Sequence, residues 1–132
     1  MRNDDQVTFS ALGVSSDLVA VLNEAGLTTA FPVQRLCIPD GLAGRDVCGK
    51  AKTGSGKTLA FGIPLIERVK PASPKRPTGL VLVPTRELAI QVADVLKMLA
   101  DARSLRLVAV YGGAQMRKQI AALEQGVEIV VA

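Results

Sequence analysis

Apolar residues near the start of the chain recur at helical spacing. Leu18, Val21, Leu22 and Ala25 fall at i, i+3, i+4 and i+7, which predicts a helix from Ser15 or Ser16 to about Ala25 with one buried stripe. Ser15 or Ser16 can cap its start, Asp17 lies in its first turn, and Gly26 is placed to end it. A second helix is expected from Pro32, since proline suits a first turn, with Pro39 interrupting or bending it. Gly41 and Gly44 then turn the chain toward a strand-like run, Asp46 to Gly49. A further helix is expected from Lys57 to about Val69, kinked at Pro64. Beyond it the pattern changes. Gly79 to Pro84 is a continuous apolar run, as in a strand buried on both faces of a parallel sheet. Thr85 opens a long helix lined by Leu88, Val92, Val95, Leu96 and Leu99. Leu105 to Tyr111 reads as another strand, ending in Gly112-Gly113. Met116, Ile120 and Leu123 mark a short amphipathic helix stopped near Gly126, and Val127 to Ala132 makes a fourth strand. Alternating strands and helices predict a three-layer α/β fold with a parallel sheet.

Two stretches stand outside this pattern. Residues 1–8 read as a loose tail, and Lys70 to Pro77, with three prolines and three basic residues, as a surface connector. The 132 residues suffice for one domain, and 48% apolar content excludes a disordered chain. A net charge of +4 permits a polyanionic partner without demonstrating one. With no histidine, His-based triads and most zinc sites are excluded. Cys37 and Cys48 are too few for a metal cluster or disulfide framework and are expected to be reduced, buried and small. Met1 to Gln6 lacks an apolar signal core, and no apolar run approaches the roughly 20 residues needed to span a membrane, so a reducing cytoplasm is expected.

The chemistry begins at Ala51-Lys52-Thr53-Gly54-Ser55-Gly56-Lys57-Thr58, a phosphate-binding loop of the [AG]xxxxGK[ST] type with Ala51 at the first position. Gly54 and Gly56 let the backbone approach phosphate oxygens closely. The curl aims N–H groups inward, and the following helix adds the positive end of its dipole. Lys57 can then reach the β- and γ-phosphates while the Thr58 hydroxyl ligates Mg²⁺.

Other stretches are ambiguous when taken singly. The Gln34 amide can match the adenine edge bidentately, or it can be an ordinary helix residue. Phe9 is a base-stacking platform or simply core. Pro84-Thr85-Arg86-Glu87-Leu88-Ala89 stands at a strand-to-helix junction, on the carboxyl edge where such sheets bind ligands; it suits a phosphate backbone, or is a helix start with Thr85 as cap. Gly112-Gly113 permits close approach of a ligand, or makes a turn. Lys75 and Arg76 are better read as solvated than as phosphate contacts.

Together these stretches resemble the N-terminal RecA-like domain of DEAD-box RNA helicases, from about Phe9 to the end of the chain. Residues 26–34 resemble the family's Q motif with Phe9 at the spacing of its upstream aromatic. Residues 51–58 resemble motif I, 84–89 motif Ia, and 112–113 the GG element. The resemblance implies an ATP-dependent RNA helicase. Phe9 would stack on adenine and Gln34 read its edge. Thr53, Gly54, Ser55 and Gly56 would hold phosphates. Lys57 and Thr58 would be catalytic, with Mg²⁺ on Thr58. Thr85, Arg86 and Gly113 would contact the RNA backbone independently of base sequence.

The chain also departs from the family pattern. Leu27 replaces an aromatic of the Q motif, and Ala30 and Phe31 stand where proline and a small hydroxyl residue are common. The acidic DEAD stretch, the SAT motif and the second RecA-like domain are not in these 132 residues. The segment is therefore expected to be part of a longer protein, inactive in hydrolysis by itself and left with unpaired sheet edges and exposed apolar surface. The competing readings are another P-loop kinase or ATPase, and a non-catalytic nucleotide- or RNA-binding module.

Overall fold

The computed structural model describes residues 6–113 and 115–132. The chain divides between Arg68 and Val69 into two compact units. The first is helical: α1 (Ser16–Glu24), α2 (Pro32–Leu42) and α3 (Lys57–Arg68), preceded by a short 3-10 turn (Ser10–Leu12). The second contains β1 (Gly79–Val81), α4 (Arg86–Ala102), β2 (Leu107–Ala109), α5 (Met116–Gln125) and β3 (Ile129–Val131).

In the first unit, α1 buries Leu18 and Leu22, as its stripe predicts. It ends in a Schellman arrangement, with Leu27 N–H donating to Leu22 C=O (2.8 Å) and Gly26 N–H to Asn23 C=O (3.0 Å). Gly26 takes the left-handed φ of +80° that this ending requires. The preceding chain is held as well. Val7 C=O accepts from Ala30 N–H (2.8 Å), and Thr8 bridges Thr29.

Helices α2 and α3 pack on each other, and their closest approach explains two unusual residues. A Cβ on Gly41 would lie 2.7 Å from Pro64 Cγ, so only glycine lets the helices meet there. Pro64 is buried in that contact, and α3 runs through it; α2 likewise continues through Pro39 to Leu42. The expected interruption at Pro39 therefore does not occur. Proline removes one ladder donor, but tertiary packing holds both helices across it. The far end of α3 fastens the unit: Glu67 Oε1 accepts from Ser15 N–H (2.9 Å), and Arg68 donates to Leu42 C=O (3.3 Å).

The second unit holds a three-stranded parallel sheet in the order β1-β3-β2. Gly79 and Leu107 both pair with Ile129, and Val81 and Ala109 with Val131. Central β3 is accordingly the most buried strand. Ile129 and Val131 are fully buried, and α4 packs on β2 and β3 with Val92, Leu96 and Leu99 inward.

The amino ends of β2 and β3 are joined by a half-exposed ion pair. Glu128 accepts from Arg106 N–H (2.9 Å) and from its guanidinium (3.3 Å and 3.4 Å). Burial by itself pushes the Glu128 carboxyl up. The bonds from the Arg106 backbone and side chain outweigh that, and the net direction is below the ordinary glutamate value.

Several expectations are corrected. Asp46 to Gly49 forms no strand, because no ladder partner lies beside it among the described residues; a strand persists only when its N–H and C=O groups are paired. The run beginning at Gly79 is not buried on both faces. Leu80 is 61% and Leu82 75% exposed, with Leu80 on the same face as Val130 and Val108. The stripe on α5 is likewise open, with Met116 and Ile120 exposed and no residue of the helix buried. Both cysteines are free thiols, but Cys48 is exposed rather than buried.

Candidate functional site

The phosphate loop lies in the first unit, immediately before α3. Gly54 and Gly56 adopt φ of +81° and +80°, the left-handed region that glycine enters without strain. The turn between them is closed by Ser55, whose N–H (3.2 Å) and hydroxyl both donate to Lys52 C=O. The N–H groups of Gly54, Gly56, Lys57 and Thr58 have no acceptor among the described residues, so they remain open to an anion at the positive end of α3. Lys57 is exposed, and neither it nor the half-buried Thr58 hydroxyl has a side-chain partner among the described residues. Thr53 is also exposed.

Gln34 is part of the loop's support. It is 1% exposed on α2, and its amide nitrogen donates to Gly56 C=O (3.1 Å). Its amide oxygen accepts from Phe31 N–H (2.8 Å), the reach-back half of a capping box. A Cβ on Gly56 would collide with the Gln34 amide and lie 2.8 Å from Phe31 Cδ2. Gly56 is therefore required twice, by its φ and by what packs on it. Each end of the Gln34 amide makes one bond within the protein, which leaves its second N–H and the second lone pair of its oxygen for a base. Phe9 is 1% exposed, and its ring faces are taken up by the core of the first unit.

The second unit assembles the other three candidates. Thr85 precedes α4 in extended conformation (φ −135°, ψ 154°) and its Oγ1 accepts from Leu88 N–H at 3.1 Å. It is thus a working N-cap. The cap uses the oxygen as acceptor and leaves the hydroxyl proton free for an anion. Arg86 is the first residue of α4 and is exposed. Gly113, with φ of +80°, sits beneath it: a Cβ there would lie 2.9 Å from Arg86 Nη1. Thr85 follows β1 and Gly113 follows β2 of a parallel sheet, so both stand on its carboxyl edge. The turn at Gly112-Gly113 is steadied by Gln119, whose amide donates to Tyr111 C=O (3.2 Å).

These arrangements match one known family. The DEAD/DEAH box helicase profile covers residues 31–132. The chain belongs to the DEAD/DEAH box helicase family. Among curated relatives, it is 45% identical over 96% of its length to the ATP-dependent RNA helicase DeaD of Haemophilus influenzae, and 43% identical over 95% to the DEAD-box ATP-dependent RNA helicase CshA of Bacillus subtilis. It spans 21% and 25% of the length of those two proteins. The fold agrees. The RNA helicase Prp28 from Chaetomium thermophilum bound to ADP superposes with a TM-score of 0.87 at 34% identity, covering 99% of this chain and 33% of that one. A DEAD box protein from Methanococcus jannaschii gives 0.82 at 36%, covering 94% and 34%. The fold is therefore an incomplete RecA-like α/β domain, and the helices and parallel strands of this family member are its parts.

The residue pattern does not announce that Gln34 is a strut of the phosphate loop, nor that Phe31 rests on Gly56. The only signal was that Phe31 departs from the small hydroxyl residue common in the Q motif.

Proposed function

We propose that this segment is the ATP- and RNA-contacting portion of an ATP-dependent RNA helicase. The observation that carries the reading is the phosphate loop, where Gly54 and Gly56 hold a left-handed curl and leave Lys57, Thr58 and four N–H groups unengaged among the described residues. Thr53 to Gly56 would cradle the phosphates by their main chain, and Lys57 would neutralise charge on the transferring phosphoryl group. Gln34 would read the adenine edge with the second N–H and lone pair of its amide.

The Thr58 hydroxyl is a hard oxygen donor of the kind Mg²⁺ takes. The described residues contain no group of three or more carboxylate, thiol or imidazole side chains that would hold a metal alone, so phosphate oxygens and water would complete the shell. Mg²⁺ would supply charge neutralisation across the β- and γ-phosphates.

Thr85, Arg86 and Gly113 would hold an RNA backbone. Their donors are a hydroxyl, a guanidinium and an exposed glycine turn, groups that suit phosphate oxygens. Hydrolysis and unwinding belong to the complete protein, to which a second RecA-like domain would contribute. Its place of work in this reading is the cytoplasm; no helix among the described residues is long and apolar enough to cross a membrane.

Binding of a fluorescent ATP analogue, read by anisotropy, tests the proposal. Micromolar-range binding that Lys57→Ala removes is expected. Equal binding by the wild type and Lys57→Ala would defeat it.

A further inference from the structure

Resting on the reading of Thr85, Arg86 and Gly113 as an RNA-backbone surface, we propose that Gln119 is the positioning residue of that surface: its amide fixes the turn after β2, so that Gly113 stays beneath the Arg86 guanidinium. The last backbone bond from β2 to β3 is made by Val110, whose N–H donates to Val131 C=O (2.7 Å). Beyond it, among the described residues, no backbone hydrogen bond holds Tyr111, Gly112 or Gly113. The tie is a side chain. Gln119 Nε2 donates to Tyr111 C=O at 3.2 Å, back across 8 positions and from a part-buried site.

The rest of α5 indicates that this bond serves the turn rather than the packing of the helix. No residue of α5 is buried, and Met116, Arg117, Lys118 and Ile120 around Gln119 are exposed, whereas Gln119 itself is half-buried. Gln115, at the N-cap, makes no side-chain bond to the helix start. A glycine pair has the most backbone freedom to lose and no side chain with which to restrict it. Yet Gly113 holds φ of +80°, and a Cβ there would lie 2.9 Å from Arg86 Nη1. A guanidinium and a backbone turn grip one phosphate together only while their spacing is kept. With the Gln119 bond in place the turn is ordered before RNA arrives; without it, binding must do the ordering and affinity falls.

Gln119→Met keeps the length and helix preference of the side chain and removes the donor. A fluorescein-labelled single-stranded oligouridylate, read by anisotropy in low salt, is expected to bind this variant about fivefold more weakly, with ATP affinity unchanged. The loss should nearly vanish when Gln119→Met is combined with Arg86→Ala, because Gln119 acts through the spacing of Gly113 and Arg86. Amide hydrogen exchange should quicken at Gly112 and Gly113 while α4 and β3 keep their wild-type protection. Gln119→Glu, whose carboxylate has the same shape and cannot donate to a carbonyl, should quicken exchange at the same two glycines. Unchanged RNA affinity, a loss just as large beside Arg86→Ala, or exchange that quickens throughout the sheet or at neither glycine would overturn the inference while the RNA surface stands. A wild-type chain that binds no oligouridylate would overturn the RNA reading itself and this inference with it.

Discussion

The phosphate loop and the Thr85–Arg86–Gly113 surface are built on opposite principles. The loop is a backbone device. Its shape depends on Gly54 and Gly56 in left-handed conformation, and it is braced by buried Gln34 and by Phe31. The second surface is a side-chain device. Thr85 already caps α4, and exposed Arg86 lies over Gly113, which holds a positive φ. A backbone device fails sharply when its few permissive residues change. A surface of exposed polar groups loses affinity one contact at a time, and loses more of it as salt rises.

The largest effect is expected at Lys57. In the complete protein, Lys57→Ala should lower ATP turnover by about 100-fold or more, measured by phosphate release, with RNA affinity in the absence of nucleotide unchanged. Gly56→Ala comes next and should behave unlike Gly54→Ala. Both positions need positive φ, but only at Gly56 would the added methyl strike Gln34 and Phe31, whereas at Gly54 it meets open space. Thermal denaturation should show a loss of about 1–2 kcal/mol for Gly54→Ala and distinctly more for Gly56→Ala. Equal losses would remove the brace from the account of the loop.

Arg86→Ala should weaken RNA binding by about tenfold in low salt and reduce the slope of log affinity against log salt by about one, without altering ATP affinity. A base-dependent loss would mean that the surface is not a backbone reader. Glu128→Gln should cost about 1–3 kcal/mol of stability near neutral pH, through loss of charge-assisted bonds from Arg106. The sign with pH follows from its lowered value. The folded state holds the Glu128 carboxylate more tightly than the unfolded chain does, so this stability is present above the ordinary glutamate value of 4.5 and is lost as pH falls through the lower folded value. The variant should therefore show a flatter acid limb in urea titrations. The smallest effect belongs to Asp40→Ala. It removes a 2.8 Å ion pair with Arg45 in which both side chains are at least half exposed, and less than about 1 kcal/mol should be lost.

Element existence was largely legible in the residue pattern. Helical periodicity located α1 and α5 within one or two residues of their observed ends and the start of α4, and apolar runs located the three strands. The misreadings share a cause. A continuous apolar run reports that a segment will be covered, but not whether its cover lies within the segment at hand. Leu80, Leu82, Met116 and Ile120 are apolar, correctly spaced and exposed. Asp46 to Gly49 has strand character and no ladder. At the candidate site, the motif spacing put glycines at the two positions that take left-handed φ, and the strand-to-helix junction put Thr85 at the N-cap and Arg86 at the start of α4. The order of residues could not reveal that Gly113 lies under Arg86, 27 positions earlier, or that Gln34 hydrogen-bonds Gly56 across 22 positions.

What the sequence determined by itself, then, was local. Glycine spacing, caps and periodicity act through backbone sterics and hydrogen bonds within a turn or two, and they identified the phosphate loop, the helix starts and the family resemblance. Tertiary structure alone decided which side chains face one another. It buried Phe9, exposed Phe31 against Gly56, engaged both ends of the Gln34 amide and placed Arg86 over Gly113. Those outcomes depend on packing between segments distant in the chain, where burial and the pairing of polar groups are settled together.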